Sequence, residues 1–204
     1  MAQYLKQEVA ARIRQAALEV FAARGFSAAS MADIARAADV STGNLYRYFA
    51  SKEVLLEEVV PPALPERLLT LLRRRVRASR GQREIDPHAP SPAFLAASEE
   101  LLSFSIENRL ALVFLLERAE GSVYAGFRGR LRRRLEQLAL MHARELDPTR
   151  VPTPSTRLVI RLVYDGFVAA MARILAEHDD AARIREAVER YGAYHLAGLA
   201  HLLS

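Results

Sequence analysis

The sequence SMADIARAADVSTGNLYRYFASK, at residues 30–52, carries the signal from which the fold of this chain can be read. Apolar residues at helical spacing lie on both sides of residues 39–41, and two short helices across such a tight turn are typical of a helix-turn-helix. Leu45 and Phe49 are four residues apart, so they share one face of the second helix. We expect this face to pack inward, together with the apolar residues Ile34, Ala35 and Val40.

The side chains that this packing leaves outside are suited to DNA. Hydroxyls and cations bind phosphate oxygens, and short polar side chains let a helix approach the base edges of the major groove. No acidic residue lies between Val40 and Lys52, so this face does not repel a polyanion. We therefore predict double-stranded DNA as a partner of the exposed residues Thr42, Asn44, Tyr46, Arg47 and Tyr48.

The flanking sequence predicts helices on both sides. Periodicity indicates a first helix over about residues 6–24, which Gly25 ends. Ser30 with Asp33 three positions later forms a capping-box pattern, and Ser51 is a suitable N-cap for a fourth helix. Pro61, Pro62 and Pro65 predict a break near residues 60–64. Our hypothesis is that the break at Pro61 and Pro62 is a hinge.

The remaining sequence is also helical in pattern, since no sustained alternation or hairpin dipeptide indicates strands. A Pro-rich polar loop is expected at 79–92. The predicted fold class is all-α with about nine helices. The first domain is a helix-turn-helix DNA-binding domain at 1–52, with the start of the connecting helix extending to about residue 60. The second is a helical effector-binding and dimerisation domain at 53–204. The further helices are predicted at about 65–78, 93–107, 109–119, 123–146, 154–178 and 181–203.

Composition excludes several other functions. The chain has no cysteine, which removes disulfides, zinc–thiolate sites and thiol nucleophiles. Its first residues lack a secretory apolar region, and its longest apolar run, 110–116, is too short to cross a bilayer. The sequence contains no paired carboxylates, nucleophile elbow or phosphate loop, and its histidines do not have the spacing of metal ligands. We expect a cytoplasmic protein that is not an enzyme, with no membrane partner, metal or cofactor.

The net charge of +5 does not locate the DNA-binding part, because residues 1–60 contain seven basic and seven acidic side chains. The assignment therefore depends on local pattern. Here residues 38–56, ADVSTGNLYRYFASKEVLL, resemble the DNA-binding signature of the TetR family of regulators, and residues 10–25 resemble its first helix. Asp39 stands where the family usually has glycine, at a turn position that tends to be left-handed. Asp tolerates that conformation at a cost of about 1 kcal/mol or less.

The resemblance implies roles for individual residues. By position, it implies base-edge contacts for Thr42, Gly43, Asn44 and Tyr46, where Gly43 would permit close backbone approach. It implies phosphate contacts for Ser30, Ser41, Tyr46, Arg47, Tyr48 and Lys52. It also implies a repressor that a small-molecule effector releases from its operator. The alternatives are a DNA-binding protein without an effector and a helical interaction module.

Two further sites are expected in the larger domain. In the family the last two helices form a four-helix dimer interface, and two-fold symmetry then predicts a near-palindromic operator. The predicted homodimer contacts are Gly166, Ala170, Gly192, Leu196, Leu199 and Leu203. Aromatic residues with a few polar groups are typical of small-molecule sites. The candidate effector residues are Phe104, Asn108, Tyr124, Phe127, His142, Tyr164 and Phe167.

Two arginine clusters have two interpretations. The first, at residues 73–83, is either a solvated helix face or a site for phosphates or an anionic effector. The second, at 128–134, alternates with inward leucines and faces water for the most part. We favour the solvated face for both clusters.

Overall fold

The computed structural model describes residues 2–78, 91–149 and 151–203, so the loop predicted at 79–92 lies almost entirely outside the described residues. Within these ranges every regular element is a helix, which confirms the predicted all-α class. The elements are α1 (Ala2–Arg24), α2 (Met31–Ala37), α3 (Thr42–Tyr46), α4 (Lys52–Val59), α5 (Ala63–Ala78), α6 (Pro92–Glu107), α7 (Arg109–Val113), a π-helical turn (Phe114–Arg118), α8 (Phe127–Leu146), α9 (Pro154–Glu177) and α10 (Ala181–Leu203).

The chain forms two compact units. The head unit comprises residues 1–65 and 110–127, and the body unit comprises 66–109 and 128–204. The predicted division placed residues 53–204 in the second domain, and residues 110–127 of that range pack with the head. Periodicity reveals an apolar helix face but not which distant segment covers it, so the sequence did not show this return of the chain.

The core of the head unit is formed by large apolar side chains with almost no solvent exposure. α1 packs on α2, α4 and the π-helical turn. Phe21 contacts Phe26 and Phe114, with ring centroids 5.7 and 5.8 Å apart. Burial of these side chains stabilises the unit by about 1.5–3 kcal/mol each. The fully buried members include Ile13, Phe21, Ile34, Leu45, Leu55 and Phe114.

Capping residues define the short helices as the sequence predicted. The Ser30 hydroxyl accepts a hydrogen bond from the Asp33 backbone N–H at 3.1 Å, and the Asp33 carboxylate accepts one from the Ser30 N–H at 3.3 Å. The hydrogen bond from the Ser30 hydroxyl is the largest cause that lowers the pKa of Asp33. Ser51 caps α4 in the same manner, through the Val54 N–H at 3.2 Å. Each such cap contributes about 1 kcal/mol.

The turn between α2 and α3 has the predicted left-handed residue. Asp39 has φ of +52°, and no other non-glycine residue of the described chain has positive φ. Arg12 of α1 holds this turn, since its Nη2 donates to the carbonyls of Ala38 at 2.5 Å and Asp39 at 2.9 Å. A side chain on the first helix therefore fixes the angle at which the third begins.

Replacement of Asp39 tests the cost of this conformation. We expect Asp39→Ala to lower the free energy of unfolding by about 1 kcal/mol, because alanine is disfavoured at positive φ. Asp39→Asn should be close to neutral: asparagine tolerates this region, and the Asp39–Arg12 pair at 3.8 Å is exposed. Urea denaturation measures both. Equal losses for the two variants would assign the effect to charge instead of conformation.

The predicted break after α4 is confirmed at residues 60–62. Val60 is buried, and its backbone leaves the helical region with φ −131° and ψ 73°. Its carbonyl, freed from the helix, accepts a hydrogen bond from the Tyr124 hydroxyl at 2.7 Å. Burial raises the pKa of Tyr124, with a smaller contribution from Glu57. Tyr124 thus stabilises the break.

The segment after the π-helical turn is joined to the loop between α1 and α2. The Arg118 carbonyl accepts from the Phe26 N–H at 3.0 Å, and the Glu120 carbonyl accepts from the Ser27 hydroxyl at 2.8 Å. Gly121, with φ of +80°, permits this approach. The helix predicted at 123–146 accordingly starts only at Phe127, since residues 119–126 form turns.

The body unit contains the long amphipathic helices. Those predicted at 65–78, 93–107, 154–178 and 181–203 are observed with ends no more than two residues away. α10 packs on α9 and α6. Among the described residues, no helix has the length and apolarity needed to cross a membrane. The core side chains include Leu71, Phe94, Leu131, Ile160, Val168 and Ile184.

Candidate nucleic-acid interface

The helix α3 has two faces of opposite character. Leu45 is 0 % exposed and Phe49, in the turn that follows, is 6 % exposed, so both belong to the core of the head. Tyr46, the neighbour of Leu45, is 51 % exposed. The predicted helix reached Phe49, but α3 ends at Tyr46 and continues as turns in which the Tyr48 and Phe49 N–H groups bond to the Leu45 carbonyl.

The structure places the residues of this segment as the packing argument predicted. Thr42, Gly43 and Arg47 are exposed, while Asn44 and Tyr48 are half-buried. A Cβ added at Gly43 would meet no atom within 4 Å, so none of the described residues packs against this position. The surface is polar, carries the cation Arg47, and contains no acidic side chain.

The two serines predicted near phosphates act as helix caps. Ser41 is exposed, and its hydroxyl accepts from the Asn44 N–H at 3.1 Å. Ser30 is also exposed, and its hydroxyl donates to the Asp33 carboxylate at 2.6 Å. Each hydroxyl is therefore already engaged within the head, which the sequence indicated for Ser30 but not for Ser41.

Lys52 has an internal role that the sequence did not indicate. Its ammonium donates to the carbonyls of Phe26 at 2.7 Å and Ala29 at 2.8 Å, and it lies 4.3 Å from the centre of the Phe26 ring. Only one of the three N–H donors is left for a phosphate. Through these hydrogen bonds, Lys52 links the loop between α1 and α2 to the start of α4.

We expect Lys52→Met to lower the free energy of unfolding by about 1–3 kcal/mol, because the Phe26 and Ala29 carbonyls would lose their donor. Arg47→Met is the matched control, since Arg47 is exposed and its replacement should change stability by about 0.5 kcal/mol or less. Urea denaturation followed by circular dichroism compares the two. If Lys52→Met were as stable as the unmodified protein, these hydrogen bonds would contribute nothing.

Comparison with known proteins supports this reading of the head. Residues 13–59, which contain α2, α3 and α4, match the family model described as bacterial regulatory proteins, tetR family. This N-terminal segment is therefore similar to the DNA-binding part of the TetR family. The helix-turn-helix resemblance noted in the sequence is thereby confirmed.

Curated relatives match a part of the chain. The HTH-type transcriptional repressor Rv3405c of Mycobacterium tuberculosis is 39 % identical over 83 residues, 41 % of this chain and 44 % of that protein. The uncharacterized HTH-type transcriptional regulator YvdT of Bacillus subtilis is 42 % identical over 59 residues, 29 % of this chain and 28 % of that protein. The chain thus spans less than half the length of these relatives.

Several solved structures align over most of the chain. One of them is native NalD, the secondary repressor of the MexAB-OprM multidrug efflux pump in Pseudomonas aeruginosa. The alignment covers 90 % of this chain and 94 % of NalD, with 20 % sequence identity and a TM-score of 0.41.

The candidate effector residues are divided between the two units. Tyr124 and Phe127 belong to the head unit, whereas the other five belong to the body unit. The Tyr124 hydroxyl is bound to the Val60 carbonyl, and the Asn108 side chain donates to the Phe104 carbonyl of its own helix at 2.9 Å. Tyr164 and Phe167 are in ring contact, with centroids 6.4 Å apart, and both contact His195.

The candidate dimer residues differ in accessibility. Gly166 is exposed, and Ala170, Gly192 and Leu196 are half-buried. Leu199 is buried within this chain, so it is not available to a partner, and the side chain of Leu203 lies outside the described part. The sequence did not single out the large apolar residues that α9 and α10 expose: Leu158, Val159, Leu162 and Tyr194.

The arginines of the first cluster do not share one environment. Arg74 pairs with Glu100 at 2.6 Å and is exposed, as expected of a solvated helix face. Arg75 is half-buried against α6, where its Nε donates to the Ser98 hydroxyl at 3.0 Å. The expectation of a solvated face is therefore wrong for Arg75, because a run of adjacent arginines must turn some of them toward the neighbouring helix.

Proposed function

We propose that this chain is a DNA-binding transcriptional regulator, a repressor that a small-molecule effector releases from a near-palindromic operator. The observation that carries the proposal is the two-sided character of α3. Leu45 fixes the helix in the core, and the side chains that face away from it are hydroxyl, amide, phenol and guanidinium groups. Such groups bind phosphates and base edges.

Within this proposal the exposed residues divide into two classes. Thr42, Gly43 and Asn44, at the start of α3, would approach base edges. Tyr46, Arg47 and Tyr48 would contact phosphates, with Ser30, Ser41 and the remaining donor of Lys52 at the margin. Phosphate contacts contribute to the affinity for every sequence, whereas base contacts determine which sequence is preferred.

We propose that α9 and α10 form the homodimer interface. Leu158, Leu162 and Gly166 are spaced by four residues and are all exposed, so they form one stripe on α9. Tyr194 and Gly198 form a similar stripe on α10, and Tyr194 is 74 % exposed. Large apolar side chains beside glycines that no neighbour covers are suited to close helix packing with a second copy.

The effector would act through differential affinity for two arrangements of the dimer. In one arrangement the heads do not fit the operator. A ligand that binds this arrangement more tightly raises its population, and the dimer then dissociates from the DNA. The break at residues 60–62 lies on the covalent path from the head to the rest of α5, which supports it as the hinge.

Selection of bound sequences from random duplex DNA tests the proposal. We expect an enriched near-palindrome for the unmodified chain. Asn44→Ala should relax the preference at one position of each half-site, at a cost of about 1–3 kcal/mol. Arg47→Ala should leave the selected consensus unchanged and weaken binding to all DNA sequences alike. It should also reduce the salt dependence of the binding constant by about the value of one phosphate contact. Failure to enrich any sequence would contradict a regulator that recognises an operator.

A further inference from the structure

Two arginines from different helices meet at the start of α2. Arg24, the last residue of α1, and Arg36 of α2 both pair with the Oδ1 atom of Asp33, at 3.0 and 3.2 Å. The side chains of both arginines are more than half exposed, whereas that of Asp33 is much less so. Two guanidinium groups therefore share one carboxylate, and these three side chains together carry one surplus positive charge.

Hydrogen bonds at the start of α2 fix the shared carboxylate. Asp33 accepts from the Ser30 hydroxyl at 2.6 Å and from the Ser30 N–H at 3.3 Å. The Ser30 hydroxyl, and then the charge of Arg24, lower the pKa of Asp33, which keeps it ionised. Each arginine contacts Asp33 through Nη1, and a guanidinium has five N–H donors. Both exposed guanidinium groups therefore have further donors to offer an anion.

The outer face of α2 is suited to lie against a polyanion. The buried residues of α2 face the core, whereas Ala32 and Arg36, four residues apart, are exposed on one face. In a helix-turn-helix the second helix enters the major groove and the first crosses the DNA backbone. The small side chain of Ala32 lets α2 approach that backbone closely. Arg36, with Arg24 beside it, then reaches the phosphate oxygens.

We propose that Arg24 and Arg36 form a phosphate clamp, in which both guanidinium groups bind the DNA backbone while Asp33 keeps them side by side. The planar fork of N–H donors in a guanidinium matches the oxygens of a phosphate. The clamp adds to the phosphate contacts proposed for α3 and its following turn. The inference rests on the proposed DNA-binding function, and it assigns two contacts that the sequence pattern did not single out.

The body unit contains a matched control for this arrangement. Arg67 and Arg74 of α5 share the carboxylate of Glu100 of α6, at 2.8 and 2.6 Å, and both arginines are also more than half exposed. This group has the same charges but lies outside the helix-turn-helix. Loss of one of its arginines therefore matches the loss of Arg24 or Arg36 in charge and exposure, without removing a contact of the clamp.

The salt dependence of binding to the selected duplex tests the clamp in the full chain. Arg24→Met and Arg36→Met should each weaken binding about 10-fold. Each should also reduce the slope of the logarithm of the binding constant against that of salt concentration, by about 0.9 for each head bound. Arg67→Met and Arg74→Met should leave affinity and slope unchanged. Arg36→Lys, which retains the charge, should restore the slope.

Melting temperatures separate a phosphate contact from a structural role. All four methionine variants should melt within about 4 °C of the unmodified chain, because exposed ion pairs add little stability. Weaker binding of Arg24→Met and Arg36→Met with an unchanged slope and a lower melting temperature would show that these arginines only support the fold of the head. That result would overturn the inference, as would an unchanged affinity and slope.

A duplex of random sequence distinguishes the clamp from operator recognition. The selection can enrich no sequence while the chain still binds random duplex with a slope that Arg24→Met and Arg36→Met reduce. The clamp then stands, and the sequence-specific regulator is contradicted. If a sequence is enriched and neither variant changes the slope, the proposed function stands and the clamp is overturned. A chain that binds neither kind of duplex contradicts both.

Discussion

Leu45→Ala should lower the free energy of unfolding by about 2–5 kcal/mol, whereas Tyr46→Ala, one residue further, should change it by about 0.5 kcal/mol or less. Leu45 is 0 % exposed, so its truncation leaves a cavity among the helices of the head. Tyr46 is 51 % exposed and fills no cavity. Urea denaturation followed by circular dichroism measures both effects on the same five-residue helix.

DNA binding should show a different pattern for the same two variants. Tyr46→Ala should weaken binding to the selected duplex by about 10-fold, the value of one lost hydrogen bond to a charged group. Leu45→Ala should weaken binding only to the extent that the head is unfolded, and lower temperature should restore it. If Tyr46→Ala bound the duplex with full affinity, or was as unstable as Leu45→Ala, the proposed orientation of α3 would be incorrect.

Gly121→Ala is expected to lower the free energy of unfolding by about 2–4 kcal/mol. About 1–2 kcal/mol comes from a left-handed conformation that alanine resists, at φ of +80°. A further loss of about 1–2 kcal/mol follows because the new Cβ would lie 2.2 Å from the Ser27 hydroxyl oxygen, which must move and give up its hydrogen bond to the Glu120 carbonyl.

A double-mutant cycle separates the two contributions. In a Ser27→Ala background the hydroxyl is absent, and the nearest remaining atom, the Cβ of residue 27, is at the ordinary contact distance of 3.5 Å. Gly121→Ala should then cost only the left-handed part. Gly43→Ala is the control, because its Cβ enters open space and should leave stability unchanged or slightly raised. Equal costs in both backgrounds would show that Ser27 and Gly121 do not interact.

The features that the sequence predicted correctly depend on neighbours in the chain. Ser30 and Ser51 bond to N–H groups three residues away. Proline cannot continue a helix whatever surrounds it, so the break near residue 60 was visible in the sequence. The resemblance placed Asp39 at a turn position that tends to be left-handed, and its φ of +52° confirms that expectation.

The features that the sequence missed depend on which distant segment lies opposite a residue. Lys52 was expected at phosphates, but its ammonium bonds to carbonyls 23 and 26 residues away. Tyr124 was expected in an effector pocket, but its hydroxyl bonds to a carbonyl 64 residues away. Long polar side chains bond to whichever unpaired carbonyl the packing of the helices brings near. The hydrophobic periodicity of the sequence does not indicate which carbonyl that is.

The sequence by itself therefore determined the helical class, the starts of the short helices and the face of α3 that points away from the core, because these follow from local hydrogen bonding and a spacing of four residues. Only the tertiary structure decided that residues 110–127 join the head, and that Arg75 among its neighbouring arginines turns toward Ser98 of α6. Both depend on long-range packing, in which segments far apart in the chain compete to cover the same apolar surface and to satisfy the same polar groups.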